Sequence, residues 1–302
     1  MEASKKLIVI LGPTASGKTS LAIEAAKHFE TEIISADSRQ FFSELNIGVA
    51  RPTLEELSKT THHFIAFKSI HDQYSAGQFE RDSLKKVEDI FDKSDYAICV
   101  GGSTLYLQAL LTGLDDLPSD QSIKLTLQQE INIHGLEFLV EKLKNVDFEY
   151  YNQVDLNNPH RIIRALEVFT ITGNKYSSLR KSETQSRPFK IIKFGIDLER
   201  HVLYDRINRR VDQMIEDGLV DEAKSLVDFS HINALQTVGY TELFEYFKGN
   251  VTLEQAIDKI KQHTRNYAKR QMTWWRRDEE INWLKTSEEN EVRRMIDIVV
   301  NS

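Results

Sequence analysis

The segment that most constrains the fold is an apolar run that breaks into a glycine-punctuated loop and resumes as a helical pattern, LIVILGPTASGKTSLAIEAA (7–26). The loop satisfies G-x-x-x-x-G-K-[ST], with the strand and helix patterns that this motif requires on either side. Backbone N–H groups of such a loop converge on phosphate oxygens at the positive end of the following helix. Lys18 supplies positive charge there, and the Thr19 hydroxyl is placed to ligate Mg²⁺. The predicted phosphate-binding residues are Gly12, Pro13, Thr14, Ala15, Ser16, Gly17, Lys18 and Thr19.

Three further apolar, β-branched runs predict strands parallel to the first. They are TEIISADS (31–38), YAICVGG (96–102) and, much later in the chain, FKIIKFGIDL (189–198). Helical patterns separate the first three runs, as in parallel sheets with right-handed crossovers. The sequence therefore predicts an α/β fold with a P-loop NTPase-like parallel sheet core flanked by helices.

The stretch before the last strand has a helical pattern throughout, which predicts a helical insertion domain. We place the first part of the core at 1–117, the insertion at 118–188, and the return strand with C-terminal helices at 189–302. A polar, proline-containing segment at 182–188 is the best linker candidate.

Composition limits the classes of function. The chain has 302 residues, 40% of them hydrophobic and 28% charged, as is usual for a folded soluble enzyme. Its net charge of −7 argues against indiscriminate binding of nucleic acid. A single cysteine, Cys99, excludes an intrachain disulfide and fits a reducing compartment. With no apolar segment long enough for a signal peptide or membrane span, we expect a cytoplasmic protein without membrane contact, and a monomer.

Asp37 is the main candidate for a carboxylate beside the phosphate loop. It follows the second strand, and the carboxyl ends of parallel strands meet at one edge of a sheet. The third strand ends in Gly101-Gly102-Ser103 without an acid, and no guanine-reading Asn-Lys-x-Asp is present. From its spacing alone, Asp37 could ligate Mg²⁺, cap a helix or act as a general base.

An ordered set of motifs extends through nearly the whole chain: GPTASGKT (12–19), ADSRQFF (36–42), NIGVARP (46–52), HHFI (62–65), YSAGQFERD (74–82), VGGSTLYLQAL (100–110), NNPHRIIRALEVFTITG (157–173), LYDRINRRVDQMIEDGL (203–219), LQTVGY (235–240) and KRQMTWWR (269–276). The set resembles the isopentenyl-tRNA transferase family, the tRNA dimethylallyltransferases, in its bacterial form. That family joins a dimethylallyl group from dimethylallyl diphosphate to N6 of the adenosine 3′-adjacent to the anticodon in certain tRNAs. The resemblance implies that the loop holds diphosphate, with Mg²⁺, as the leaving group.

The resemblance also implies roles for individual residues. Asp37 is then the general base, and Lys18 and Thr19 complete the catalytic set. The adenosine is expected to be flipped out of the anticodon stem-loop to reach them. Ser103 has an alternative as a simple helix N-cap, and Gln40 is expected to use its amide. The predicted tRNA contacts are Asp37, Ser38, Arg39, Gln40, Ser103, His160, Arg161, Ile162, Ile163, Arg164, Gln236, Thr237, Val238, Gly239, Tyr240 and Thr241.

Two groups of cations in helical segments are candidates for anion contacts. Arg206 and Arg210 are four residues apart, and we expect one of them to reach the diphosphate. Lys261, Arg265 and Lys269 form a stripe in which Arg265 and Lys269 are predicted to bind tRNA; the alternative is a solvated helix face. Trp274 and Trp275, at the end of that segment, are predicted to pack in the core or between domains.

Two other kinds of protein fit parts of the pattern. A P-loop small-molecule kinase would share the loop, the sheet and a helical lid, and would transfer phosphate from ATP. A nucleic-acid-stimulated NTPase would hydrolyse the γ-phosphate without any prenyl transfer. The chain also departs from the pattern of the family it resembles at Val49, where a threonine is common, so a hydroxyl contact at that position is in doubt.

Overall fold

The structure, a computed structural model, describes residues 5–115, 117–180, 185–285 and 289–302. It separates into two compact units: a core unit, Met1–Leu111 with Ser186–Ser302, and a helical unit, Thr112–Gln185. The sequence placed the insertion at 118–188, a few residues from these limits. Residues 182–184 of the predicted linker lie outside the described part of the chain.

The core unit is built on a six-stranded sheet with the strand order β3-β2-β4-β1-β5-β6, and every pair of neighbours is parallel. The prediction of an α/β fold with a parallel sheet is confirmed. Two short strands, His62–His63 and Ile281–Leu284, were not predicted from the sequence. The strands are β1 Lys6–Leu11, β2 Ile33–Ala36, β3 His62–His63, β4 Tyr96–Gly101, β5 Lys190–Ile196 and β6 Ile281–Leu284.

Helices flank the sheet and form the helical unit. In chain order they are α1 Lys18–His28, α2 Leu54–Lys59, α3 Ala76–Phe91, α4 Thr104–Thr112, α5 Gln121–His134, α6 Leu136–Val146, α7 Phe148–Tyr151, α8 Pro159–Thr172, α9 Tyr176–Leu179, α10 Arg200–Glu216, α11 Leu219–Ser225, α12 Tyr240–Phe247, α13 Leu253–Trp275 and α14 Glu289–Val300. Capping boxes mark the first residues of two helices: Ser75 with Gln78 caps α3, and Thr252 with Gln255 caps α13. No helix in the described ranges combines the length and apolar character needed to cross a bilayer.

Both faces of the sheet are buried, so residues 7–11 of the central strand β1 are all apolar. In β1, Leu7, Val9 and Leu11 belong to the cluster on one side, whereas Ile8 and Ile10 belong to the cluster on the other. This alternation follows from the two-residue period of a strand. The second side is covered by residues of α1 and α14.

Three strands end at the same level of the sheet. Gly101, the last residue of β4, pairs with Leu11 of β1 on one side and with Ala36 of β2 on the other. A Cβ atom at Gly101 would lie 2.4 Å from the Ala36 carbonyl oxygen, so only glycine allows this approach. The loops that begin at Gly12, Asp37 and Gly102 therefore leave the sheet side by side.

The helical unit has its own core, to which α5, α6 and α8 contribute. Within it, Ile162 is fully buried and Ile163 is 7% exposed. The resemblance implied tRNA contacts for both residues. Their side chains are not available for such contacts, because they pack inside the unit, and that expectation is corrected.

A buried carboxylate in α8 accepts hydrogen bonds from two neighbouring groups. Glu167 is fully buried and accepts hydrogen bonds from the Asp120 N–H and from Nη1 of Arg164, each at 2.7 Å. Arg164 also donates to the carbonyl oxygens of Leu117 and Pro118. Its guanidinium thus connects α8 to the segment that precedes α5. His160 and Arg161, at the start of the helix, are exposed.

We expect Gly101→Ala to destabilise the core unit by about 1–3 kcal/mol, because the added methyl group must displace the β2 backbone at Ala36. Urea unfolding measures the change. Gly77→Ala is the matched control, since a Cβ atom at Gly77 in α3 would meet nothing within 4 Å. An equal response of the two variants would contradict the tight packing at Gly101.

Candidate active site

The phosphate loop contains two backbone conformations that favour glycine. Gly12 has φ +147° and Gly17, the N-cap of α1, has φ +94°, both in the region that favours glycine. Ala15 also has a positive φ, +63°. Nζ of Lys18 donates to the Pro13 carbonyl oxygen at 2.6 Å. The buried hydroxyl of Ser16 has no partner among the described residues, so the loop keeps a polar atom for a ligand.

Two buried cations face one carboxylate in the site. Burial lowers the pKa of Lys18 to about 8; the Asp37 carboxylate opposes this shift and Arg210 adds to it. Burial also lowers the pKa of Arg210, again opposed by Asp37. Because desolvated cations are costly without a counter-charge, the site is suited to a multiply charged anion.

The structure selects Arg210 from the predicted pair of arginines. Its Nη1 lies 3.5 Å from the Thr14 hydroxyl, at the edge of the phosphate loop. Arg206 is partly buried on the preceding turn of α10 and has no contact with the loop among the described hydrogen bonds. The neighbouring Arg209 is exposed and paired with Asp205.

Side chains from distant elements tie the three loops together. The Ser103 hydroxyl accepts a hydrogen bond from the Ser38 N–H at 3.0 Å, so it joins the loop after β4 to the loop after β2. Gln271 of α13 accepts from the Thr14 N–H at 3.0 Å and donates to the Gly102 carbonyl oxygen at 2.9 Å. No pattern in the sequence indicates the contact made by Gln271.

The Asp37 carboxylate accepts a hydrogen bond from the Arg39 N–H at 3.1 Å, so a local turn fixes its orientation. Tyr267 of α13 lies nearby. Its pKa is raised to about 12, by burial first and by the Asp37 carboxylate second, while a hydrogen bond with Ser103 acts in the opposite direction. Asp37 is therefore surrounded by groups that are cationic or neutral at pH 7.

Arg39 and Gln40 hold the walls of the site. The Arg39 guanidinium donates to the carbonyl oxygens of Asn233, Ala234 and Gln236. The Gln40 amide donates to the carbonyl oxygens of Val49 and Ala50, at 3.2 and 3.0 Å. Backbone carbonyl oxygens thus occupy the donors of this amide in the structure, and its contact with the nucleotide stays a prediction.

Residues 42–51 form one wall, which we call the 42–51 loop. Arg51 donates to the carbonyl oxygens of Phe42, Ser43 and Leu45. Glu222 of α11 accepts from the N–H groups of Ile47 and Gly48, at 2.8 and 2.9 Å. Polar side chains thus fix this irregular backbone from two sides.

Tyr240 packs against the same wall, at Gly48. It is fully buried, its hydroxyl donates to Glu222 at 2.6 Å, and a Cβ atom at Gly48 would lie 2.6 Å from its ring. The predicted contact between Tyr240 and tRNA is therefore corrected: this side chain packs beneath the 42–51 loop.

A cavity of about 610 Å³ opens between these elements. It joins the loop threonine Thr14, Asp37 and Arg210 to Val49 and to the segment 236–241, which runs into the first turn of α12. Five of the six predicted residues in that segment line the cavity: Gln236, Thr237, Val238, Gly239 and Thr241. The sequence did not predict the wall that α13 contributes, which consists of Ile260, His263, Thr264, Asn266, Tyr267 and Arg270.

The predicted cation stripe on α13 is only partly available. Lys261 pairs with Asp212 at 2.5 Å, and Arg265 donates to Oδ1 of Asn208 at 2.6 Å. Both partners belong to α10, so these two cations join helices. Arg265 thus gives one of its donors to Asn208, whereas Lys269 is exposed; contact of these two residues with tRNA stays a prediction.

Magnesium fits the donor set of the loop. No group of three His, Cys, Asp or Glu side chains that could hold a metal ion occurs within the described ranges. Mg²⁺ does not need one, since it is commonly bound through one or two protein oxygens, phosphate oxygens and water. The Thr19 hydroxyl at the start of α1 and the Asp37 carboxylate are oxygen donors of that kind.

Comparisons with known proteins agree with this geometry. The family model described as IPP transferase matches residues 40–278. A tRNA dimethylallyltransferase of Christiangramia forsetii is 51% identical over 286 residues, covering 94% of this chain and 95% of the relative. The tRNA dimethylallyltransferase 1 of Bacteroides thetaiotaomicron is 45% identical over 287 residues, covering 95% and 93%.

Solved structures show the same fold. The full-length tRNA isopentenylpyrophosphate transferase from Bacillus halodurans is 36% identical with a TM-score of 0.73, covering 98% of this chain and 96% of its own. A eukaryotic dimethylallyltransferase, described as acting on tRNA, is 25% identical with a TM-score of 0.81, covering 99% and 80%. The sequence, its fold and the site at the ends of β1, β2 and β4 lead to one conclusion: this chain belongs to the IPP transferase family.

Proposed function

We propose that the protein transfers a dimethylallyl group from dimethylallyl diphosphate to N6 of the adenosine 3′-adjacent to the anticodon in certain tRNAs, releasing diphosphate. The observation that carries this proposal is that one cavity joins the phosphate loop to Asp37. The relatives at 45–51% identity bear the corresponding name, which supports the same reaction here.

The departing diphosphate is the group that the loop would stabilise. Its negative charge grows as the bond between the allylic carbon and oxygen breaks. Lys18, Arg210 and the loop N–H groups surround that position with preorganised positive charge, which lowers the barrier. Mg²⁺, held by Thr19, would neutralise further charge on the phosphate oxygens.

Asp37 would act as the general base. The N6 amine is a weak nucleophile because its lone pair is delocalised into the purine ring, so it must lose a proton as the carbon–nitrogen bond forms. The carboxylate takes that proton, and diphosphate leaves with the electrons of the broken carbon–oxygen bond. Fixed by the Arg39 N–H, the carboxylate needs little reorganisation to do so.

The cavity suits a flipped nucleotide. Its volume lies in the range of small-ligand sites, and apolar side chains of Val49, Met214 and Val238 line it beside the polar groups. An adenine extruded from the anticodon stem-loop would be shielded from water there. We infer a monomeric enzyme of the cytoplasm, where the single thiol of Cys99 stays reduced.

One assay tests the proposal against its competitors. Purified protein is incubated with Mg²⁺, unmodified tRNA and radiolabelled dimethylallyl diphosphate, and in parallel with labelled ATP. Label in the tRNA supports the transferase. Turnover of ATP without transfer of prenyl label would instead favour a kinase or an RNA-stimulated NTPase.

We expect Asp37→Asn to lower the rate of transfer in the ternary complex by about 10²–10⁴-fold, because the amide cannot accept the N6 proton. Single-turnover transfer of label measures the rate. The substitution keeps an oxygen for the Arg39 N–H, and it removes a negative charge beside Lys18 and Arg210. Binding of diphosphate should therefore be unimpaired, and a loss of affinity would show that Asp37 serves the anion or its metal ion.

The lowered pKa of Lys18 predicts a pH dependence of anion binding. In the free enzyme, the Lys18 ammonium group loses its proton as the pH rises through about 8. In the complex with diphosphate, the bound anion should keep Lys18 protonated. Affinity for inorganic diphosphate in metal-free buffer should thus fall above pH 8, by up to about tenfold per pH unit. Titration calorimetry between pH 7 and 9.5 measures this.

Lys18→Met is the control, since ionisation of the ligand affects both proteins alike. The ratio of the wild-type to the variant association constant should decline above pH 8. A constant ratio would show that Lys18 keeps its charge throughout and that its burial has little effect on binding.

A further inference from the structure

Helix α13 presents one face to the core and another to the cavity. Trp275 is 4% exposed and packs in the core as predicted, whereas Trp274 is 41% exposed, so the prediction that both residues pack is wrong for Trp274. The reason is helical geometry, since consecutive side chains on a helix point about 100° apart. The exposed residues of α13 that line the cavity follow one another at helical spacing: His263, Asn266, Tyr267 and Arg270.

His263 of this row is paired with a buried carboxylate. Its Nδ1 lies 2.5 Å from Oε1 of Glu242, which stands in the first turn of α12 and is 5% exposed. The other oxygen, Oε2, accepts hydrogen bonds from the Gly239 N–H at 2.8 Å and from the Thr241 hydroxyl at 3.0 Å. Because a carboxylate only accepts hydrogen bonds, Nδ1 of His263 carries the hydrogen in this pair.

The second ring nitrogen of His263 is left for the cavity. The side chain is 48% exposed, and Nδ1 faces the buried carboxylate, so the edge with Nε2 turns away from Glu242. Within the described ranges, Nε2 forms no hydrogen bond. Two polar neighbours in the wall are already occupied, since Thr264 donates to the Ile260 carbonyl oxygen and Gln236 to that of Ser230. His263 thus offers the ligand a nitrogen in a fixed orientation.

The position of His263 relative to Asp37 suits the length of a nucleoside. Tyr267 interacts electrostatically with Asp37 and forms a hydrogen bond with Ser103. His263 lies one helical turn from Tyr267, about 6 Å along the axis of α13. A purine separates its N6 amine from its ribose by a comparable distance. With N6 at Asp37, the ribose of a flipped adenosine can therefore reach the nitrogen of His263.

The chemistry of adenosine selects the group that meets this nitrogen. With the hydrogen on Nδ1, neutral His263 presents Nε2 as an acceptor, which needs a donor from the ligand. Within an RNA chain the 3′ and 5′ oxygens of a nucleotide are esterified, so adenosine keeps two donors, the N6 amine and the ribose 2′-hydroxyl. The amine is the group that faces Asp37. The 2′-hydroxyl can also accept from a protonated ring, so this contact forms in either state of His263.

We propose that His263 determines specificity for ribose at the target nucleotide: Nε2 forms a hydrogen bond with the 2′-hydroxyl of the flipped adenosine, while Glu242 fixes the ring. This inference rests on the proposed function, because it takes the N6 amine at Asp37 as its reference point. The contact distinguishes RNA from DNA at one position, and it orients the sugar so that N6 faces the carboxylate.

His263→Asn tests the contact, because the amide nitrogen of asparagine lies where Nδ1 lies and can still donate to Glu242, whereas nothing replaces Nε2. Transfer of label is measured on two anticodon stem-loop RNAs, one all-ribose and one with 2′-deoxyadenosine at the target. The ratio of kcat/KM for the two RNAs should be about 3–10-fold larger in the wild type than in the variant, the effect of one hydrogen bond. A thermal melt checks that the variant is folded.

A control RNA carries the 2′-deoxy substitution at the nucleotide 3′ to the target. Its sugar does not enter the cavity, so its effect on kcat/KM should be the same in both proteins. The change of sugar conformation that a deoxy substitution brings also acts equally on both proteins. Only the difference between the proteins therefore reports the contact, as in a double-mutant cycle.

The outcomes separate the two claims. Equal ratios in the wild type and His263→Asn overturn the contact, since Glu242 and His263 then form a purely structural pair. A wild type that uses ribose and deoxyribose targets equally well overturns it without any variant. Failure of the wild type to transfer label from dimethylallyl diphosphate to the all-ribose RNA would refute the proposed function itself.

Discussion

The close contact of Gly101 with Ala36 is the constraint on which the site depends. Gly101 is in register with the last residues of both β1 and β2, and a side chain there would force β2 away. Because the strands end level, the phosphate loop, Asp37 and Ser103 start from one edge of the sheet. Distances of a few ångströms between residues far apart in the chain follow from this register.

The electrostatics of the site follow from burial around that edge. Lys18 and Arg210 both lose hydration, and Asp37 is the carboxylate that opposes the resulting decrease in their pKa values. A site with more buried positive than negative charge favours an anion and holds it without much rearrangement.

The walls of the cavity are held mainly by polar side chains that bind backbone. Arg39, Gln40, Arg51 and Glu222 each contact carbonyl or N–H groups of irregular segments. The family resemblance implied tRNA contacts for Arg39 and Gln40, but a guanidinium or an amide that can bind a nucleotide can equally bind a peptide group. Which of these partners the side chain binds depends on which one the fold brings within hydrogen-bond distance.

The sequence by itself determined the local features: the phosphate loop, the strands β1, β2, β4 and β5, the capped helices and the position of Asp37 after β2. These depend on hydrophobic period and turn chemistry within short windows of chain. Only the tertiary structure decided which arginine of α10 reaches Thr14, that α13 closes the cavity, and that Trp274 is exposed while Trp275 is buried. Such features depend on contacts between residues up to 200 or more positions apart, for which the local pattern carries no signal.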